Sequence, residues 1–358
     1  PSYSTCPTSC YECQGATIPA SPMPTPTDNN KNKIGEWLPE IPLPDAPIHL
    51  HVLPNGKVIG WAGFTHISSS SSSYFLWDPN NPNNCVTSLT LPTGFDNLFC
   101  SGHSFLPDGR LLVTGGQHEG RLYVGIEQTA TFDYRDNTWT KKPNMRYGRW
   151  YPTNISLTNG EQMILSGFDK TPTGGVWNTD IEAFRPAIDN LHRYTSIQYT
   201  EDKALYPWSY LKPDGKVFLA GPTRQSYNID PVKDGSITQG PVSSYTAQRE
   251  YGSSAMYDKG KIIIIGGGPG GTLPTDNSNP QWTSAAGLKI GRRQHNATTL
   301  PDGTVLVTGG SRSSCFSDDR PGAAVLRAEL WNPQTNTWSL MAAMSKPRVY
   351  HSEALLLL

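Results

Sequence analysis

One repeat constrains the folding of this chain more than any other feature. Seven segments share one shape: an apolar strand, a tight turn at Asp-Gly or its equivalent, a second apolar strand, then glycine. They are HLHVLPNGKVIGWAG from His49, GHSFLPDGRLLVTGG from Gly102, YPTNISLTNGEQMILSG from Tyr151 and YPWSYLKPDGKVFLAG from Tyr206. YGSSAMYDKGKIIIIGGG from Tyr251, HNATTLPDGTVLVTGG from His295 and YHSEALLLL from Tyr350 complete the series. Glycine adopts positive φ at no steric cost, so Asn55-Gly56, Asp108-Gly109, Asn159-Gly160, Asp214-Gly215 and Asp302-Gly303 each signal a hairpin, with Lys259-Gly260 a weaker version. Spacings of roughly 43–55 residues suit four strands per repeat. The expected fold is all-β, a seven-bladed β-propeller.

Trp139, Trp282 and Trp338 each follow a polar turn and precede the next inner strand, which marks an outer strand. Trp37, in GEWLPEIPLP, has the same setting ahead of the first repeat. The N-terminal segment is therefore expected to give the outer strand of a closing blade whose inner strand starts at Tyr350, a closure that removes open sheet edges. The turn of that blade falls due at Leu358, so the closing blade is expected to be incomplete, with middle strands beyond it. Residues 34–358 form the propeller. Residues 1–33 form a tail, with Cys6, Cys10 and Cys13 in CPTSCYEC followed by a Pro/Thr/Asn-rich linker. CPTSCYEC has no fourth nearby ligand of the usual metal-binding type, so a small disulfide knot or a tether to another chain is the expected use.

Charged residues make up 16% and the net charge is -1, which argues against nucleic acid or an anionic membrane as main partner. No apolar run reaches the ~18 residues of a membrane span. Six cysteines, few lysines and abundant Ser, Thr and Asn suit a secreted, extracellular protein. The sequons at Asn154 and Asn296 fall in expected inner strands and carry little weight.

Counting eight residues back from each turn gives Pro47, Cys100, Tyr151, Tyr206, Tyr251 and Gln294, with Tyr350 starting the seventh repeat. Equivalent positions of a propeller ring the central axis at one face, so Cys100, Tyr151 and Tyr350 are expected to converge. A tyrosine at a strand start is more often packing than ligand, and a buried cysteine is usually a small hydrophobe. The combination with Tyr350-His351 is harder to dismiss. Imidazole and phenolate suit copper in a tetragonal arrangement with an open position. Copper transfers one electron whereas alcohol oxidation removes two, so a second redox centre is needed. A tyrosine bonded to a cysteine sulfur supplies one without a separate organic cofactor.

These residues carry a resemblance to the copper radical oxidases, the galactose oxidase and glyoxal oxidase family, whose propeller is of the kelch type. Phe99-Cys100-Ser101-Gly102 is similar to the family's thioether-cysteine motif, Arg149-Trp150-Tyr151-Pro152 to its cross-linked-tyrosine motif, and Arg348-Val349-Tyr350-His351-Ser352 to its axial-tyrosine motif. The resemblance runs from about Ile34 to Leu358. It implies a thioether joining Cys100 to Tyr151, with Tyr151 as copper ligand and radical. It implies Tyr350 as axial ligand and base, and His351 as an equatorial ligand. The implied reaction oxidises a small aldehyde or primary alcohol, glycan ends being one source, and reduces O2 to hydrogen peroxide. The family's second histidine ligand comes from a C-terminal domain that this chain is expected to lack. His49, His51, His103, His118, His192 and His295 do not match its motif. Ser166-Gly167-Phe168-Asp169 stands where galactose oxidase has a tryptophan over the thioether, leaving Trp150 and Trp208 as candidates for a shielding ring. With Cys100 so used, Cys6, Cys10, Cys13, Cys85 and Cys315 remain, an odd number: one is free, pairs with another chain, or pairs beyond Leu358. The competing expectation is a non-catalytic extracellular propeller, a scaffold or carbohydrate-binding protein.

Overall fold

The computed structural model describes residues 18, 21–26, 29–43, 46–62, 73–81, 89–118, 121, 123–171, 174–199, 204–243, 248–268, 272–276 and 282–357. Cys6, Cys10, Cys13 and Cys85 lie outside the described residues.

Among the described residues the chain forms five four-stranded sheets and one three-stranded sheet, each an antiparallel meander in sequence order. The first sheet is Pro47–Val52, Val58–Ala62, Ser73–Trp77 and Leu89–Thr90. The second is Gly102–Phe105, Leu111–Thr114, Thr129–Asp133 and Thr138–Lys142. The third is Thr153–Ser156, Gln162–Leu165, Asp180–Arg185 and Asn190–Gln198, interrupted by a hairpin of Phe168–Thr171 and Gly174–Trp177. The fourth is Trp208–Leu211, Val217–Gly221, Gln225–Asp230 and Ser236–Val242. The fifth is Ser253–Asp258, Lys261–Ile265 and Thr272–Asp276; the sixth is Arg293–Thr299, Val305–Ser311, Arg327–Asn332 and Thr337–Ala343. Two compact units contain them. Ile41–Ser243 holds the first four sheets, and Pro1–Glu40 with Ser244–Leu356 holds the last two.

The turns follow from their residues. Gly56, Gly109, Gly160, Gly215, Gly260 and Gly303 all have φ between +72° and +85°. In five of them the preceding Asn or Asp carboxamide or carboxylate accepts the backbone N–H two residues on, as Asp108 does from Arg110 at 3.1 Å and Asp302 from Thr304 at 3.0 Å. Second strands such as Leu111–Thr114 and Gln162–Leu165 are buried throughout, because neighbouring sheets cover both faces. Outer strands alternate, and Trp139 and Trp338 are their buried anchors as the sequence pattern predicts. Trp282 is described but lies outside the strands. Apolar cores lie between sheets: Leu53, Ile59, Trp61, Val113 and Phe132 between first and second, Met163, Leu165, Val217 and Leu219 between third and fourth, and Ile263, Ile265, Val307 and Trp331 between fifth and sixth. Each such side chain contributes about 1.5–3 kcal/mol by leaving water.

Six sheets of three or four strands, besides the two-stranded hairpin, are therefore seen among the described residues, and the expected count of seven blades is not confirmed. Residues 352–357 and 35–43 carry no strand. The segment around Trp37 and Glu40 nonetheless lies along the end of the sixth sheet. Trp37 Nε1 donates to the Ala342 carbonyl at 3.0 Å, Ser345 Oγ donates to Glu40 at 2.7 Å, and Lys346 pairs with Glu40 at 2.7 Å.

Candidate active site

Residues at the entry to successive inner strands share a backbone conformation. Cys100, Tyr151, Tyr206, Tyr251 and Gln294 all have φ between +48° and +62°, a region that costs an L-residue about 1–2 kcal/mol. Hydrogen bonds link them in series within each unit. Tyr151 N–H donates to Cys100 O at 2.8 Å and Tyr206 N–H to Tyr151 O at 3.0 Å; in the other unit Gln294 N–H donates to Tyr251 O at 2.6 Å. Five of the six positions counted from the turns are thus structurally equivalent, whereas Pro47 opens its strand and does not share the left-handed conformation. In the last repeat the left-handed residue is His351, φ +64°, and not Tyr350. The ring position counted from the sequence is off by one there.

A second repeated device explains the offset. Arg149 O accepts from Gly116 N–H at 2.9 Å, Arg292 O from Gly267 N–H at 3.1 Å and Arg348 O from Gly310 N–H at 2.7 Å. Arg149 and Arg292 stand two residues before their left-handed partners, Arg348 three before His351. One extra residue, Tyr350, is inserted, and the segment presents a phenol and an imidazole together. The glycines are required by the close approach: a Cβ on Gly115 or Gly309 would collide with the Arg149 or Arg348 carbonyl oxygen.

Buried guanidiniums hold these segments. Arg149 is fully buried; it donates to Ser166 O at 2.6 Å and Asp180 O at 2.9 Å and pairs with Glu182 at 2.8 Å. Arg292 repeats the pattern with Gly309 O at 3.0 Å and Glu329 at 2.7 Å. Arg249 donates to Gly266 O at 2.6 Å. The main chain entering Trp150-Tyr151 is thereby fixed.

In the unit of the first four sheets, Cys100 and Tyr151 share one buried cluster with Phe99, flanked by Trp150 and Tyr206. Trp150 stacks on the Tyr151 ring at 4.1 Å with 24° between planes, and Tyr206 tilts against it at 4.6 Å. Tyr206 OH donates to Ser101 O at 3.0 Å, which fixes that ring. Cys100 is fully buried and carries a free thiol. Burial pushes this thiol well up from its usual range, with side-chain hydrogen bonding to Tyr151 and then Trp150 acting the other way. The group is a protonated thiol in contact with a phenol, shielded by an indole. Of the two tryptophans the sequence left open, Trp150 is the one over Tyr151.

In the other unit Tyr350 and His351 stack at 3.8 Å and 27°. Phe316 lies 4.5 Å and Tyr251 5.8 Å from the Tyr350 ring, and the Arg293 guanidinium covers Tyr251 at 4.8 Å. Burial lowers His351 to about 4, so at neutral pH it is an uncharged imidazole with a lone pair to give. His295, beside the ring position of its repeat, is buried with its Cβ against Gly310, and burial lowers it to about 3. Both of its ring nitrogens are buried without a hydrogen-bond partner among the described residues. The sequon asparagines are half-buried and hydrogen-bonded: Asn154 accepts from Thr114 Oγ1 at 2.7 Å, and Asn296 donates to Ser352 O at 2.9 Å. Reading from sequence missed the pairing of His49 and His51 with His103; the visible signal was two histidines two apart on one strand face.

Among the described residues no three of His, Cys, Asp and Glu are grouped to hold a metal ion. Each unit by itself offers donors of the kind copper takes: the Tyr151 phenol in one, and the Tyr350 phenol with the neutral His351 imidazole in the other.

Known proteins resemble this chain over most of its length. The family model described as "Glyoxal oxidase N-terminus" matches residues 75–258, more than half of the chain. Galactose oxidase of Gibberella zeae is 28% identical over 90% of this chain and 51% of its own length. Aldehyde oxidase GLOX of Vitis pseudoreticulata is 25% identical over 73% of this chain and 54% of its own. The chain thus spans about half the length of these relatives. A fungal alcohol oxidase of the AA5 family, solved in complex with copper, superposes with a TM-score of 0.79 at 24% identity, covering 91% of this chain and 71% of that one, and shows the shared all-β propeller fold. On the match to the family model, joined by the motifs around Cys100, Tyr151 and Tyr350-His351, this chain belongs to the glyoxal oxidase N-terminal family within the copper radical oxidases.

Proposed function

We propose that this protein is an extracellular copper radical oxidase that converts a small aldehyde or primary alcohol to its two-electron oxidation product and reduces O2 to hydrogen peroxide. The observation that carries the reading is the buried Cys100 thiol against Tyr151 under the Trp150 ring. A thiol and a phenol so placed lose two hydrogens to an oxidant when sulfur bonds the ring carbon. The resulting thioether lowers the potential at which Tyr151 gives up an electron. Tyr151 then accepts a hydrogen atom from the substrate carbon, while Tyr350 accepts at its phenolic oxygen the hydroxyl proton of the alcohol, or of the hydrate that an aldehyde forms with water. As the family motifs imply, Tyr151, Tyr350 and His351, the last uncharged at neutral pH, would hold the ion. Copper, when bound, supplies the second one-electron carrier and a Lewis-acidic position for the substrate oxygen. Trp150 excludes water from the modified ring. Over a cycle the substrate loses two electrons and two protons, and O2 gains both as H2O2.

The competing reading, a propeller that binds without catalysis, makes the opposite forecast in one experiment. Copper-loaded protein should show one bound ion, a mass two hydrogens below that of the sequence, and peroxide on addition of simple aldehydes or primary alcohols. Failure to bind copper or to lose the hydrogens sinks the oxidase reading and leaves the scaffold. The N-terminal cysteines Cys6, Cys10 and Cys13 fit a tether in either case, to be checked by non-reducing electrophoresis.

A further inference from the structure

At one ring position the backbone linkage is replaced by a side chain. Tyr151, Tyr206 and Gln294 each give their N–H to the carbonyl of the preceding ring residue. Cys100 N–H goes instead to an imidazole, His49 Nε2, at 3.1 Å. An N–H can donate only to the unprotonated ring nitrogen, so neutral His49 carries its proton on Nδ1. That nitrogen lies 3.0 Å from His103 Nε2, which must then accept, placing the His103 proton on Nδ1. His103 Nδ1 is 2.8 Å from His51 Nε2, which accepts in turn. One backbone amide therefore dictates the tautomer of three imidazoles, all protonated on Nδ1.

The chain is built into the packing between the first and second sheets. Trp61 lies 5.2, 6.0 and 5.5 Å from the rings of His49, His51 and His103, and Phe105 edges His51 at 5.4 Å. Trp61 Nε1 also donates to Leu98 O at 3.2 Å, and Ser101 N–H reaches the same carbonyl at 3.2 Å. The turn that carries Cys100 is thus held by Trp61 on one side and His49 on the other. The cluster is not arranged about a metal. His103 turns one nitrogen to His51 and the other to His49, so the three lone pairs do not meet at a point.

We propose that His49, His103 and His51 are positioning residues for Cys100: a directed imidazole chain that fixes the left-handed main chain of Cys100 and so seats its thiol against Tyr151. The consequence for bond formation rests on reading Cys100 and Tyr151 as a thioether pair; the chain itself does not.

Two measurements test it. Nitrogen NMR of protein carrying isotope-labelled histidine, with resonances assigned from single variants, should show His49, His103 and His51 as Nδ1–H tautomers at neutral pH. An Nε2–H tautomer at His49 overturns the chain. The second follows the loss of two hydrogens by intact mass after copper is added in air. His49→Ala should slow it about fivefold to tenfold, the scale of one lost hydrogen bond, while His49→Gln, whose amide oxygen offers an acceptor in a similar place, recovers most of the rate. Circular dichroism melting checks that both variants are folded. Folded His49→Ala that cross-links at the wild-type rate, or His49→Gln no better than His49→Ala, overturns the positioning role. If the wild-type protein never loses the hydrogens, the oxidase reading fails, and the tautomers still decide the chain.

Discussion

Trp150 and Tyr151 are neighbours in sequence whose rings stack at 4.1 Å. Adjacent side chains on a strand point to opposite faces, so this contact needs the left-handed turn at Tyr151, φ +62°. The strain at Tyr151 and its shielding are one feature. Stacked aromatic pairs are worth about 0.5–1.5 kcal/mol. If that contact favours the oxidised ring, Trp150→Ala should shorten the lifetime of the radical form about twofold to tenfold. Decay of its electron paramagnetic resonance signal measures this, and an unchanged lifetime assigns Trp150 to packing alone.

Loss of one partner from a buried ion pair strands the other charge. Glu182→Ala leaves the Arg149 guanidinium buried beside two carbonyls, and should cost about 3–5 kcal/mol in urea unfolding. Removing both charges with Glu182→Leu and Arg149→Met should cost less than the sum of the single changes. Additive losses would show that the pair is not coupled.

Gly309→Ala places a methyl on the Arg348 carbonyl at φ +68°, in the segment that carries Tyr350 and His351. It should destabilise the protein by at least about 2 kcal/mol and weaken copper binding. Gly287→Ala, where a Cβ meets nothing within 4 Å, is the control and should stay within about 0.5 kcal/mol of wild type. Equal effects would mean that the close approach is unimportant.

Burial lowers His103 to about 4 and His51 well below 6.5, whereas the unfolded chain titrates them near 6.5. Between those values the unfolded state binds more protons, so stability falls as pH drops. Their contribution is complete above pH 6.5 and is lost on acidification, that of His103 as pH approaches about 4 and that of His51 well below 6.5. The melting temperature of wild type should fall over this window more steeply than that of His103→Phe. Parallel profiles would contradict the assignment.

The sheets are legible in the sequence because glycine after Asn or Asp fixes a turn wherever it occurs, and buried strands between such turns have one apolar pattern. Five ring positions follow by counting back from those turns. The count slips at Tyr350-His351 because the terminal segment has no turn to count from, and the extra residue shows only as positive φ at His351. The hairpin Phe168–Thr171 with Gly174–Trp177 escapes the pattern, since its residues lack the shared repeat shape. The histidine chain is half visible: His49 and His51 share a strand face by period, but their link to His103 lies between sheets and is tertiary.

The central claim is that Cys100 and Tyr151 become one cofactor. Proteolysis of copper-treated, aerated protein followed by peptide mass spectrometry tests it most directly. A single species joining the Cys100 and Tyr151 peptides, two hydrogens lighter than their sum and resistant to reducing agents, is the result expected. Two separate peptides with a Cys100 thiol still open to alkylation would contradict the account.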